Sequence, residues 1–172
     1  MNNSYNGHLC IVFALEHYNP LNMIRAFGES GINPVYISVK RRYEVAIFSK
    51  YISKLHRVDS VEEGFRLLLD EYGNFDSDHK PYIVFSDDKS VGYFDLHYDE
   101  WKGKFIAYNA GKTGRINEFM DKYNIQQLAK KHGFNVLDSY VISKNDDLPK
   151  DLWYPIITKD ISPNSGSWKD DV

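Results

Sequence analysis

Leu9-Cys-Ile-Val-Phe-Ala-Leu15 is an unbroken apolar run with no polar alternation. A strand with one wet face alternates apolar and polar side chains. The run therefore predicts a strand buried on both faces, as in a parallel sheet covered by helices. The residues that follow agree. Glu16-His17-Tyr18-Asn19 leads into Pro20-Leu-Asn-Met-Ile-Arg-Ala-Phe27, with Asn19 as helix cap, Pro20 at the first helical position and Gly31 as the stop. Pro34-Val-Tyr-Ile-Ser-Val39 repeats the strand signal, and Lys54-Leu-His-Arg-Val58 is a further short strand. Residues 45–48 and Ile52 fit neither pattern.

Ser60-Val-Glu-Glu63 reads as a capping box ahead of a helix over 64–72. Pro81-Tyr-Ile-Val-Phe85 is a buried strand ending in Ser86-Asp87-Asp88, residues 91–101 read as a helix, and Lys104-Phe-Ile-Ala-Tyr108 as a last short strand. Strand, helix, strand repeated in this way predicts an α/β domain with a mainly parallel sheet and right-handed crossovers.

Composition bounds the partners. A net charge of -3 leaves no basic excess for general nucleic-acid binding. Lys40-Arg41-Arg42 is the dense basic run, and it reads as a solvated strand exit. The single cysteine, Cys10, lies inside the first apolar run and reads as a small core residue. The N-terminus is polar without a signal-peptide core, and no apolar run approaches the roughly 20 residues of a membrane span. The expectation is a soluble, reduced, cytoplasmic protein.

A small-residue connector, Asn109-Ala-Gly-Lys-Thr-Gly114, divides the chain into 1–113 and 114–172. Beyond it, Ile116, Phe119, Met120, Tyr123, Gln127, Leu128 and Lys131 space out as one amphipathic helix that carries Lys122 and stops at Gly133. Residues 135–142 and 156–159 read as strands, too few to bury a core of their own. The closing stretch, Tyr154-Pro-Ile-Ile-Thr-Lys159, opens into a loop containing Ser165-Gly166-Ser167. A strand that delivers an ammonium, followed by a glycine loop that closes N–H groups over oxygens, suits a phosphate site. The same residues also suit a hairpin turn with a solvent-facing lysine.

Several motifs are missing. Gly111-Lys112-Thr113 lacks the earlier glycine of a P-loop, since position 106 is Ile106. No glycine turn follows the first strand to cradle a dinucleotide. The histidines show no zinc spacing, and no nucleophile elbow occurs.

The strand ending in Ser86-Asp87-Asp88, the Met120-Asp121-Lys122 helix, Lys130-Lys-His-Gly-Phe134 and Tyr154-Pro-Ile-Ile-Thr-Lys159 with its loop together resemble the N-terminal part of ATP-grasp enzymes. The likeness is to the carboxylate–amine ligase branch that includes D-aspartate ligase-like and carbamoyl-phosphate-synthetase-like proteins. It implies a Rossmann-like pre-ATP-grasp domain followed by an incomplete α+β ATP-grasp subdomain. By the resemblance, Lys122 and Lys159 reach the ATP phosphates and Ser165-Gly166-Ser167 folds over the triphosphate. Asp160 stands where the family usually has a proline. The implied cofactors are ATP and Mg2+, with the magnesium ligands in polypeptide after Val172. The expected protein is thus a fragment of a longer ligase, inactive alone, acting on small-molecule carboxylate and amine substrates, with homodimerisation left open.

Glu16 with His17, and Asp87 with Asp88, would lie at the carboxyl ends of parallel strands, where open α/β sheets bind ligands. They read either as an edge of the substrate cleft or as helix caps and surface groups. The alternative to the ligase is a non-catalytic α/β binding or interaction module.

Overall fold

The computed structural model describes residues 2–75, 77–143 and 145–159 of the chain. The chain divides into two compact units, Met1–Ile116 and Asn117–Val172.

The first unit is built on parallel strands β2 (His8–Leu15), β3 (Val35–Val39), β4 (Lys54–Val58), β5 (Tyr82–Phe85) and β6 (Ile106–Ala107). They lie in the order β4-β3-β2-β5-β6, and β1 (Ser4–Tyr5) adds an antiparallel pair at the start of β2. The apolar run thus becomes the central strand, with Ile11 through Ala14 wholly buried. Its side chains alternate between two cores. Leu9, Ile11 and Phe13 join Val35, Ile37, Phe65, Leu68, Phe94 and Trp101 on one face, and Val12 and Ala14 join Tyr36, Ile24 and Ala46 on the other.

Helix α1 (Tyr18–Glu29) supplies Ile24 to the second core, while α2 (Val61–Tyr72), α3 (Asp88–Leu96) and α4 (Tyr98–Trp101) supply the first. Helices on both faces are what a strand without polar alternation requires. Gly64 lets α2 approach the sheet closely. A Cβ there would meet the Phe13 ring at 2.8 Å.

Several boundaries differ from the sequence reading. α1 begins at Tyr18, capped by His17, whose Nδ1 accepts from the Asn19 N–H at 3.1 Å. An imidazole nitrogen replaces the expected Asn19 oxygen, and Pro20 sits one step further in. Ser60 caps α2 as expected, the Glu63 N–H donating to Ser60 Oγ at 3.0 Å, while the return bond of the box is shifted by one residue, the Glu63 carboxylate accepting from Asp59 N–H at 2.7 Å. The expected 91–101 helix is two, α3 and α4, parted at His97. Residues Ala46–Phe48, unplaced from sequence, form a 3-10 turn.

The predicted single helix after the connector is also two, α5 (Arg115–Met120) and α6 (Lys122–Lys131). Asp121 breaks it by capping α6, its Oδ1 accepting from Asn124 N–H at 2.9 Å. Gly133, at φ +77°, ends α6 as expected.

Neither strand expected at 135–142 or 156–159 forms among the described residues of the second unit. An isolated extended segment has nothing to pair its N–H and C=O groups, so β-rich sequence alone does not make a strand. The apolar side chains stay in the open: Leu137 is 83% and Ile157 80% exposed, and α6 has no buried residue. Among the described residues no helix is long and apolar enough to cross a membrane.

Candidate functional site

Strand order reverses at β2, whose neighbours β3 and β5 lie on opposite sides. The strand exits there hold Glu16-His17 and Ser86-Asp87-Asp88. A ligand of an open parallel sheet is expected at such a reversal, outside the carboxyl ends of the strands.

Glu16 continues the parity of Val12 and Ala14, so its side chain falls on the α1 face beside Tyr36 and Ser38. It is buried, at 1% exposure. Its Oε2 accepts from Tyr36 OH at 2.5 Å and Ser38 Oγ at 3.0 Å. Its Oε1 accepts from the N–H of Val45 at 2.7 Å, of Ala46, and of Ile47 at 3.3 Å. A buried carboxylate is tolerated only when donors replace the lost water. Here they saturate its acceptor capacity, leaving no lone pair for a substrate. Glu16 is an anchor that fixes the loop after β3.

Asp87 is held by three hydrogen bonds. It caps α3, Oδ1 accepting from Ser90 N–H at 2.8 Å, while Oδ2 accepts from Ser90 Oγ at 2.9 Å and Leu15 N–H at 2.8 Å. The last bond ties the exit of β5 to that of β2. Asp88 is the exposed first residue of α3, and His17 is the α1 cap. Ser86 Oγ is buried and has no hydrogen-bond partner among the described residues. We expect Asp87→Ala to cost about 2–3 kcal/mol, the sum of a lost cap and a stranded Leu15 N–H. Urea unfolding checks this, and a loss under about 0.5 kcal/mol would contradict the bonding described.

Tyr36 carries the strongest electrostatic signature. Burial first, and then the hydrogen bond to Glu16, push its hydroxyl far above the usual tyrosine range. The folded form thus holds its proton more tightly than the unfolded chain. That contribution is intact below the ordinary tyrosine pKa of about 10 and is lost as pH rises beyond it, at up to about 1.4 kcal/mol per pH unit. Denaturation at pH 9 and pH 11 should show the fall. Tyr36→Phe should flatten it without abolishing it, because burial also raises Tyr72 and Tyr93. An equal slope in wild type and variant would exclude Tyr36 as the main source.

The phosphate-site candidates lie in the second unit. Lys122 is the first residue of α6 and half-buried, and Lys159 is exposed at the end of the described segment. Ser165, Gly166 and Ser167 lie outside the described residues. A groove beside α6 is lined by Gln127, Lys130, Phe134, Leu137, Asp138 and Tyr140. No group of three or more His, Cys, Asp or Glu among the described residues could hold a metal ion.

The sequence reading missed the donors that enclose Glu16. Tyr36 and Ser38 stand two apart, on one face of a strand otherwise apolar, and that parity was the available signal.

Comparison with protein-family models, with curated proteins and with solved structures finds no match to this chain.

Proposed function

We propose that the chain supplies the first α/β unit and the opening of the nucleotide-binding unit of an ATP-dependent carboxylate–amine ligase. One observation carries this reading most. A self-buried parallel α/β unit precedes a lysine-bearing unit in which several apolar side chains of the described residues, Leu137, Trp153 and Ile157 among them, are exposed. Exposed apolar surface on that scale suits a subdomain completed by a further layer of polypeptide.

In this reading Lys122 and Lys159 hold the phosphates of ATP, and the 165–167 loop closes over them. The carboxylate of one substrate attacks the γ-phosphorus, giving ADP and an acyl phosphate. The amine of the second substrate then attacks the acyl carbon, a C–N bond forms and inorganic phosphate leaves. Positioned cations are the main protein contribution to such a transfer, because the transferring oxygens share the charge. Mg2+ would neutralise those oxygens further, and its ligands are assigned outside the described residues.

Product analysis on the polypeptide of the complete reading frame tests the proposal. Incubation with ATP, Mg2+ and a panel of carboxylic acids and amines should release ADP only when an acid is present. Release of AMP and pyrophosphate, or no acid dependence, would overturn it. The internal engagement of Glu16 and Asp87 favours a non-catalytic binding module for the first unit taken alone, and absence of any nucleotide turnover would leave that reading standing.

A further inference from the structure

The loop after β3 holds a second feature at the carboxyl edge of the sheet. From sequence, Lys40-Arg41-Arg42 reads as a solvated strand exit, and the structure sorts these cations into two kinds. Lys40 pairs with Asp59 at 2.6 Å, and Arg57 on β4 pairs with Glu44 at 2.5 Å. Arg41 and Arg42 are exposed and form no ion pair among the described residues; Arg42 instead sits 5.3 Å over the Tyr43 ring. The backbone divides in the same way. The N–H groups of Val45, Ala46 and Ile47 converge on the Glu16 carboxylate, whereas those of Arg41, Arg42, Tyr43 and Glu44 find no protein acceptor among the described residues.

The loop thus already binds one carboxylate from the inside. Pinned by it, the loop carries two exposed guanidinium groups and, over 41–44, N–H donors with no protein acceptor among the described residues. Guanidinium groups match carboxylate and phosphate oxygens in pairs, and anchoring the loop lowers the entropy lost on binding.

We propose that the 41–44 segment is a binding site for the carboxylate or phosphate group of a small acidic ligand. Arg41 and Arg42 supply the charge, and Glu16 acts as the positioning residue behind them. This goes beyond the ligase reading and does not depend on it.

The test is a titration of the 172-residue chain, labelled with nitrogen-15, at constant ionic strength, following the backbone amides of 41–47 and the Nε signals of Arg41 and Arg42. Citrate, inorganic phosphate and chloride are the probes. Saturable shifts at these residues with citrate or with phosphate support the site, and the tighter of the two names its ligand class. Arg41→Gln with Arg42→Gln should weaken binding at least about tenfold, while Lys40→Gln, whose lysine is already paired, should not. Linear shifts identical to those with chloride, or saturation that survives the double substitution, would overturn the proposal. The ligase reading is read out separately by acid-dependent ADP release, so failure of this site and failure of that reading give different results.

Discussion

Glu16→Ala should lower the unfolding free energy of the first unit by about 3–5 kcal/mol, because it takes the shared acceptor from five donors. The substitution strands two hydroxyls, on Tyr36 and Ser38, and the N–H groups of Val45, Ala46 and Ile47. Each stranded buried group costs about 1–3 kcal/mol, and water entering the space left by the side chain recovers part of that. Glu16→Gln should cost less. Its amide oxygen still accepts from the loop N–H groups, and the hydroxyls of Tyr36 and Ser38 can rotate to accept from its NH2. The ordering Ala worse than Gln is therefore part of the prediction. Urea denaturation measures both, and amide hydrogen exchange at Val45, Ala46 and Ile47 should quicken in each variant. A Glu16→Ala protein as stable as wild type would show that the carboxylate is not the anchor. Since whole domains are stable by about 5–15 kcal/mol, the Ala variant could lose much of its margin.

On the ligase reading, Lys122→Ala and Lys159→Ala in the polypeptide of the complete reading frame should each reduce ATP turnover by about 100- to 1000-fold, the usual loss for one electrostatic contact to a transition state. Folding should survive, since Lys159 is exposed, Lys122 is half-buried and neither belongs to a hydrophobic core cluster. Circular dichroism separates a misfolded variant from an inactive one. A lysine that grips the transferring phosphate lowers kcat, whereas one that only binds nucleotide raises KM. Lys159→Arg should not restore the rate, because a planar fork does not replace a compact ammonium at one point. Turnover within twofold of wild type in both Ala variants would remove these lysines from the site.

The sheet was legible because its signal is local and strong. An unbroken apolar run needs cover on both sides, and Leu9 to Leu15 became the central strand for that reason. Ser60 and Glu63 fixed the start of α2 through bonds that span only a few residues. The misplaced boundaries came from side chains with two uses. His17 caps α1 although imidazole is an uncommon cap, and Asp121 ends one helix by starting another. The missing strands of the second unit have a different cause, since pairing partners are long-range and composition does not name them.

At the candidate site, sequence placed Glu16 and Asp87 at the strand exits but could not show that their oxygens were already taken. Such bonding depends on donors from residues distant in the chain, such as Val45 for Glu16 and Leu15 for Asp87. The same limit applied to Arg41 and Arg42. Their difference from Lys40 lies in which acids the fold brings near, not in residue type.

Hydroxylamine trapping tests the ligase reading most directly. With ATP, Mg2+ and the accepted carboxylic acid but no amine, the intact polypeptide should form a hydroxamate in step with ADP, because hydroxylamine intercepts an acyl phosphate. ADP released without hydroxamate, or hydroxamate accompanied by AMP, would contradict the account.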